Sequence, residues 1–245
     1  MISVHEYDYK YETGALYSAL LDFPEILRGD FGKMANIEKL YQRISAWLLL
    51  ERAVQKEYGL ENLKALDIRR TEKGKPWSAA YPELQFNISH CDAACACAVS
   101  VEPVGIDVEK RFPYRETLAK KVCHAEEWDY LMRAEEAGAE GGTDHGYTNR
   151  AEFLRLLWSA KESIVKLEGS GLGYGMGRLN LMPLLRKCAA DVSDIFRASD
   201  IRCEGWLDGI GELQLHIRRT EYYTMAICAN RVEDEIVNVD QLIKN

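Results

Sequence analysis

The 245-residue sequence has no apolar run that approaches the length of a membrane span. Its opening, MISVHEYDYK, lacks the basic start and apolar stretch of a signal peptide, so the expected location is the cytoplasm. Positive charge is in short supply. Against 39 Asp and Glu stand 31 Lys and Arg, a net charge of −8, which argues against broad binding to nucleic acid or anionic membranes. An anionic ligand would then need a local basic pocket. No G-x-S-x-G occurs, so one common signature of serine hydrolases is missing. The glycine-rich stretch GSGLGYGMGR at 169–178 follows a helix and lacks a Gly-Lys-Ser/Thr ending, which excludes a P-loop. Seven cysteines form an odd set with no secretory signal, and free thiols in a reducing compartment are expected. Cys91, Cys95 and Cys97 lie in an alternating strand with no suitably spaced second Cys/His pair. They read as small buried hydrophobes rather than zinc ligands.

What is present suits a soluble globule, with 47% hydrophobic and 29% charged residues. The length fits one large domain or two compact halves. A first helix is expected at roughly 33–59, with Ile37, Leu40, Tyr41, Ile44, Trp47 and Leu48 at helical spacing and Gly59 as its stop. Residues 69–85 read as a basic loop punctuated by Gly74 and Pro76. FNISH and ACACAVSVEPVGIDVEK read as successive strands, followed by a helix over 116–137. A polar, glycine-bearing connection follows over 135–150, and the most strongly helical segment is 151–168. GELQLHIRR and EYYTMAICAN read as further strands before a polar terminus. The pattern YTMAICA (223–229) echoes ACACAVS (94–100), a hint of two similar halves.

Three constellations carry chemistry. In VGIDVEK (104–110), Val104, Ile106 and Val108 face one way and Gly105, Asp107 and Glu109 the other. The plain reading is a solvated strand face. The alternative is a metal site, because two same-face carboxylates about 7 Å apart repel unless a cation lies between them. Gly105 on that face reads as clearance for a bulky ligand. In WSAKESIVK, Trp158, Glu162 and Lys166 share one helix face, as a surface Glu–Lys pair or as a third carboxylate beside a phosphate-binding cation. Lys75 in Gly-Lys-Pro and His90 at a strand end either grip an anion or serve the structure, and Arg43 either joins them or pairs with Glu38 or Glu51.

In this order, G-K-P (74–76), F-N-x-S-H (86–90), G-x-D-x-E (105–109) and W-x-x-K-E-x-x-x-K (158–166) resemble the 4′-phosphopantetheinyl transferases. The likeness is to the longer, two-halves (Sfp-type) class and is strong over about 73–173. Each motif is weak alone; four in fixed order outweigh the plain readings.

The resemblance implies an α+β fold of two similar halves, roughly 1–103 and 104–245, related by a pseudo-twofold with the active site in the cleft between them. It implies Mg²⁺-dependent transfer of the 4′-phosphopantetheine arm of coenzyme A to a serine of an apo acyl, peptidyl or polyketide carrier protein, with release of 3′,5′-ADP. Asp107, Glu109 and Glu162 would hold the metal, Mn²⁺ being an alternative to Mg²⁺ for oxygen ligands. Glu162 would accept the serine proton, and Lys166 would bind phosphate near the scissile bond and assist the leaving group. Arg43, Lys75 and His90 match coenzyme A-binding positions, and Ser89, in the same strand end as His90, is expected to bind with them. Trp158 reads as a packing residue that fixes the helix.

A monomer is expected, with the carrier docking near 111–128 and 135–150. Two departures from the family pattern stand out. The segment RGDFGKMANIEK offers only Arg28, Lys33 and Lys39 mixed with acids, where the family has a basic run. Cys91 replaces a more familiar small hydroxyl residue. The rival readings are a hydrolase acting on coenzyme A and a non-catalytic coenzyme A- or carrier-binding module of the same fold.

Overall fold

The structure is a computed structural model that describes residues 2–8, 22–133, 149–169, 175–188, 192–195, 198–230 and 236–241. Most of the connection expected over 135–150, and the centre of the glycine stretch at 170–174, lie outside the described residues. Among the described residues no helix is long and apolar enough to cross a membrane.

The architecture is α+β, built around two four-stranded sheets. The first has the order β10-β1-β5-β4, from β1 (Ile2–Asp8), β4 (Gln85–His90), β5 (Ala94–Ser100) and β10 (Ile236–Gln241). The second is an antiparallel sheet of order β6-β9-β8-β7, from β6 (Val104–Lys110), β7 (Asp200–Leu207), β8 (Gly211–Arg219) and β9 (Tyr223–Asn230). A small hairpin, β2 (Ile68–Arg70) with β3 (Pro76–Ser78), occupies part of the stretch expected to be loop. β10 is also a correction: the polar end of the chain supplies a strand that runs parallel to β1.

The helices cover the outer faces. A short helix, α1 (Glu25–Phe31), precedes α2 (Ile37–Tyr58), so the first long helix starts later than 33. Asn36 caps α2 by accepting the Lys39 N–H, and Gly59 ends it in the left-handed region at φ 67°. α2 lays Ile44, Trp47, Leu50 and Val54 on Phe86 of β4 and on Cys95, Cys97 and Val99 of β5. The helix expected over 116–137 is broken into α3 (Glu116–Val122) and α4 (Ala125–Arg133). Cys123 is extended, and His124 starts a new turn in which Glu127 reaches back to the His124 N–H at 2.7 Å. α5 (Asn149–Glu168) is buried on most of its circumference, as an apolar-all-round helix must be. It packs Leu156, Leu157, Ala160 and Ile164 over Leu213, Leu215, Ile217, Ala226 and Cys228.

β5 buries both of its faces. Cys95, Cys97 and Val99 look toward α2, while Ala94, Ala96 and Ala98 meet Val104, Ile106 and Val108 of β6 and Met225 and Ile227 of β9. The layers therefore run helix, sheet, sheet, helix, with alanines letting the two sheets approach closely. Cys91, Cys95 and Cys97 are buried free thiols, as expected. The expectation that every thiol is free is corrected, since Cys188 at the end of α6 (Met182–Cys188) forms a disulfide with Cys203 of β7. Only 15 residues separate them, and the fold seats that helix end on β7.

Candidate active site

β4 and β6 are edge strands of different sheets, and they meet side chain to backbone. Asn87 Oδ1 accepts the Ile106 N–H at 3.3 Å, and Ser89 Oγ accepts the Val108 N–H at 3.1 Å. The amides that an edge strand leaves open are thereby satisfied without a continuous ladder. This seam brings the FNISH strand against the VGIDVEK strand.

Gly105 explains how α5 reaches the same place. A Cβ there would lie 1.9 Å from the Ser163 carbonyl oxygen and 2.6 Å from the Leu167 nitrogen. The missing side chain makes room for the helix backbone, not for a ligand, which corrects the expectation of ligand clearance. Close approach then delivers Glu162 and Lys166 of α5 to Asp107 of β6.

Asp107 is 3% exposed. Its Oδ1 accepts from Lys166 Nζ at 2.7 Å and from Ser89 Oγ at 3.0 Å. Ser89 Oγ also accepts from Lys166 Nζ at 2.9 Å, so the hydroxyl has used its one donor and both lone pairs. Asp107 Oδ2 is buried with no hydrogen-bond partner. Glu109 accepts from the Trp158 indole N–H at 3.0 Å. Burial, then the Asp107 charge, pushes the Glu109 carboxyl up to about 7, against the Trp158 hydrogen bond. Burial and Asp107 also push Glu162 up, partly offset by Lys166. The three carboxylates thus sense one another across a partly dry space.

His90 lies at the end of β4 with its Nδ1 buried and unpartnered. Burial first, then the charges of Arg43, Lys166 and Lys39, pulls its imidazole down to about 4. Arg43 donates to Met34 Sδ at 3.7 Å, and neither Glu38 nor Glu51 is its partner in that contact. Lys75 reaches across from the hairpin loop and donates to the Leu167 carbonyl at 2.9 Å, capping α5. Burial lowers its ammonium. Asp107, Glu109, Glu162, Lys166, Ser89, His90 and Arg43 therefore share one neighbourhood, with Lys75 at the helix end beside it.

Among the described residues, no three His, Cys, Asp or Glu side chains are gathered closely enough to hold a metal ion. Lys166 fills one oxygen of Asp107, and Trp158 holds Glu109. The orphaned Asp107 Oδ2 and the mutual repulsion of the three carboxylates nonetheless suit a hard cation and oxygen donors.

Sequence reasoning passed over the pair that anchors α5. Lys161 and Glu127 are both fully buried and form an ion pair. Lys161 Nζ also donates to the carbonyls of Val122 at 2.7 Å and Met176 at 3.2 Å, while Glu127 accepts from the Leu181 N–H at 2.8 Å. Burial pulls Lys161 down and pushes Glu127 up, and each holds the other's charge. A lysine inside an apolar helix pattern was the available signal.

Residues 103–208, which contain β6 and α5, match the family model of the 4′-phosphopantetheinyl transferase superfamily. Over that stretch the chain is similar to members of this superfamily. A 4′-phosphopantetheinyl transferase of Bacillus subtilis is 33% identical over 135 residues, 55% of each chain. The 4′-phosphopantetheinyl transferase Sfp of Bacillus subtilis strain 168 is 32% identical over 137 residues, again 55% of each. The L-aminoadipate-semialdehyde dehydrogenase-phosphopantetheinyl transferase of Pongo abelii is 31% identical over 150 residues, 56% of this chain and 45% of its own. The matched stretch spans about half the length of these curated relatives. Both carboxylate-bearing elements of the site fall inside the superfamily region, whereas Arg43, Lys75, Ser89 and His90 lie before it.

Proposed function

We propose that this protein transfers the 4′-phosphopantetheine arm of coenzyme A to a serine of an apo acyl, peptidyl or polyketide carrier protein, releasing 3′,5′-ADP. One observation carries the reading most: Asp107, Glu109 and Glu162 converge with Lys166 on a seam that also presents His90 and Arg43. Carboxylates that sense one another beside the cations Lys166 and Arg43 suit a ligand that is itself a metal-bound polyphosphate.

In this reading the chain divides into two halves, near 1–103 and 104–245, with the site between them and β10 returning to the first sheet. Asp107, Glu109 and Glu162 would hold a divalent cation, Mg²⁺ or Mn²⁺, which when bound neutralises pyrophosphate charge. The carrier serine oxygen forms a bond to the β-phosphorus, and the bond from that phosphorus to the bridging oxygen of 3′,5′-ADP breaks. Glu162, raised in proton affinity by burial, takes the serine proton. Lys166 stands beside the metal-binding carboxylates and places a positive charge where negative charge grows on the leaving phosphate. Arg43 and His90 orient the nucleotide end, and Lys75 joins them by leaving the α5 carbonyl. Ser89 keeps Asp107 aimed, and Trp158 does the same for Glu109.

The test is incubation with coenzyme A, Mg²⁺ and a panel of apo carrier proteins, followed by intact mass. The expected result is a carrier heavier by one phosphopantetheine, with Asp107→Ala and Glu162→Ala inactive yet folded. Consumption of coenzyme A with no modified carrier would instead identify a hydrolase. Binding of coenzyme A without turnover or Mg²⁺ dependence would identify a binding module.

A further inference from the structure

The turn after β4 holds a carboxylate that the proposed chemistry does not use. Asp92 accepts from Lys39 Nζ at 2.9 Å and from Gln42 Nε2 at 2.8 Å, both on α2, and also from Lys110 Nζ at the end of β6. Gln42 is buried and accepts from Lys39 Nζ at 3.1 Å through its own Oε1. One carboxylate thus ties α2 to β6 two residues from His90. The side chains of Lys39, Asp92 and Lys110 are 50%, 43% and 51% exposed.

Ion pairs this exposed contribute little to stability, and opening them costs little. Their placement is more telling. Lys39 acts on His90 together with Arg43 and Lys166, so it belongs to the same cationic corner. Lys110 adjoins Glu109 on that strand. Remove Asp92, and the corner would present Lys39, Lys110, Arg43 and Lys166 to an incoming anion.

We propose that Asp92 is a built-in competitor for the phosphate groups of the nucleotide ligand, and that Lys39 and Lys110 are ligand-binding cations which it holds until a phosphate displaces it. The proposal rests on the reading of this site as a coenzyme A site and deepens it. A displaced carboxylate that returns to its lysines lowers the affinity for the departing nucleotide and speeds its release.

Calorimetric titration of the metal-free protein with 3′,5′-ADP at low ionic strength tests this. Asp92→Asn is expected to bind about fivefold tighter than wild type, the effect of one charge at contact range in water. Asp92→Ser, a second variant, should behave alike, and melting curves confirm that both are folded. Lys39→Ala and Lys110→Ala should each bind severalfold more weakly, and the Asp92→Asn gain should shrink in high salt. Wild type that binds while both Asp92 variants bind no tighter would overturn the competitor role and leave the coenzyme A reading standing. If neither wild type nor variant binds 3′,5′-ADP at millimolar concentration, both fall.

Discussion

Glu109 keeps its proton to about pH 7 because burial and Asp107 disfavour its charge, whereas His90 stays neutral down to about pH 4. The two shifts act on stability in opposite directions. Glu109 binds its proton more tightly folded than unfolded, so its contribution is complete below about 4.5 and is lost as pH rises through about 7. His90 binds its proton less tightly folded, so its contribution is complete above about 6.5 and is lost as pH falls through about 4. Between 4.5 and 6.5 the slopes oppose each other. In chelator, Glu109→Gln should therefore lose stability on acidification across that window faster than wild type, as read by urea unfolding at stepped pH. Parallel curves for the two proteins would refute the assignment. The identity of the clustered acids was legible from the i, i+2 spacing on a strand and the i, i+4 spacing on a helix. The job of Ser89 was not. It depends on a strand edge 19 residues away in sequence, which no local pattern announces.

At the scale of elements, α5 is fixed from two sides. β6 holds it through the bare Cα of Gly105, and α4 holds it through the Lys161–Glu127 pair. Gly105→Ala puts a methyl group into helix backbone that has no flexible end to yield. It should cost about 3 kcal/mol or more, measured by chemical denaturation. Lys161→Met leaves a buried carboxylate unpaired and should cost about 3–5 kcal/mol. Lys161→Met with Glu127→Met should recover much of that loss, because an apolar pair of similar volume replaces both charges. A double variant no more stable than the single one would count against the ion-pair account. Strong periodicity made α2 and α5 legible, and alternation did so for β6, β8 and β9. β7 was missed because Arg202, Glu204 and Trp206 lie on an exposed face and Gly205 interrupts it. The break between α3 and α4 carries no proline or glycine. It is made by a cap on His124 that depends on buried Glu127.

For the whole molecule, order along the chain and order in space diverge. The last described strand joins the first sheet, and the two sheets share a core of alanines and branched residues. No local pattern revealed β10, whose partner lies more than two hundred residues earlier. The seam itself is narrower than a sheet. Two side chains, Asn87 and Ser89, shield the Ile106 and Val108 amides where strand pairing ordinarily would. Protection of those two amides from hydrogen exchange then measures whether the seam is shut, independently of whether either sheet has melted. Asn87→Leu should expose the Ile106 amide to exchange while leaving the β8–β9 amides slow. A nucleotide gripping both strands should slow Ile106 and Val108 together. The protein therefore carries two native reporters of the opening of that seam, readable without a label.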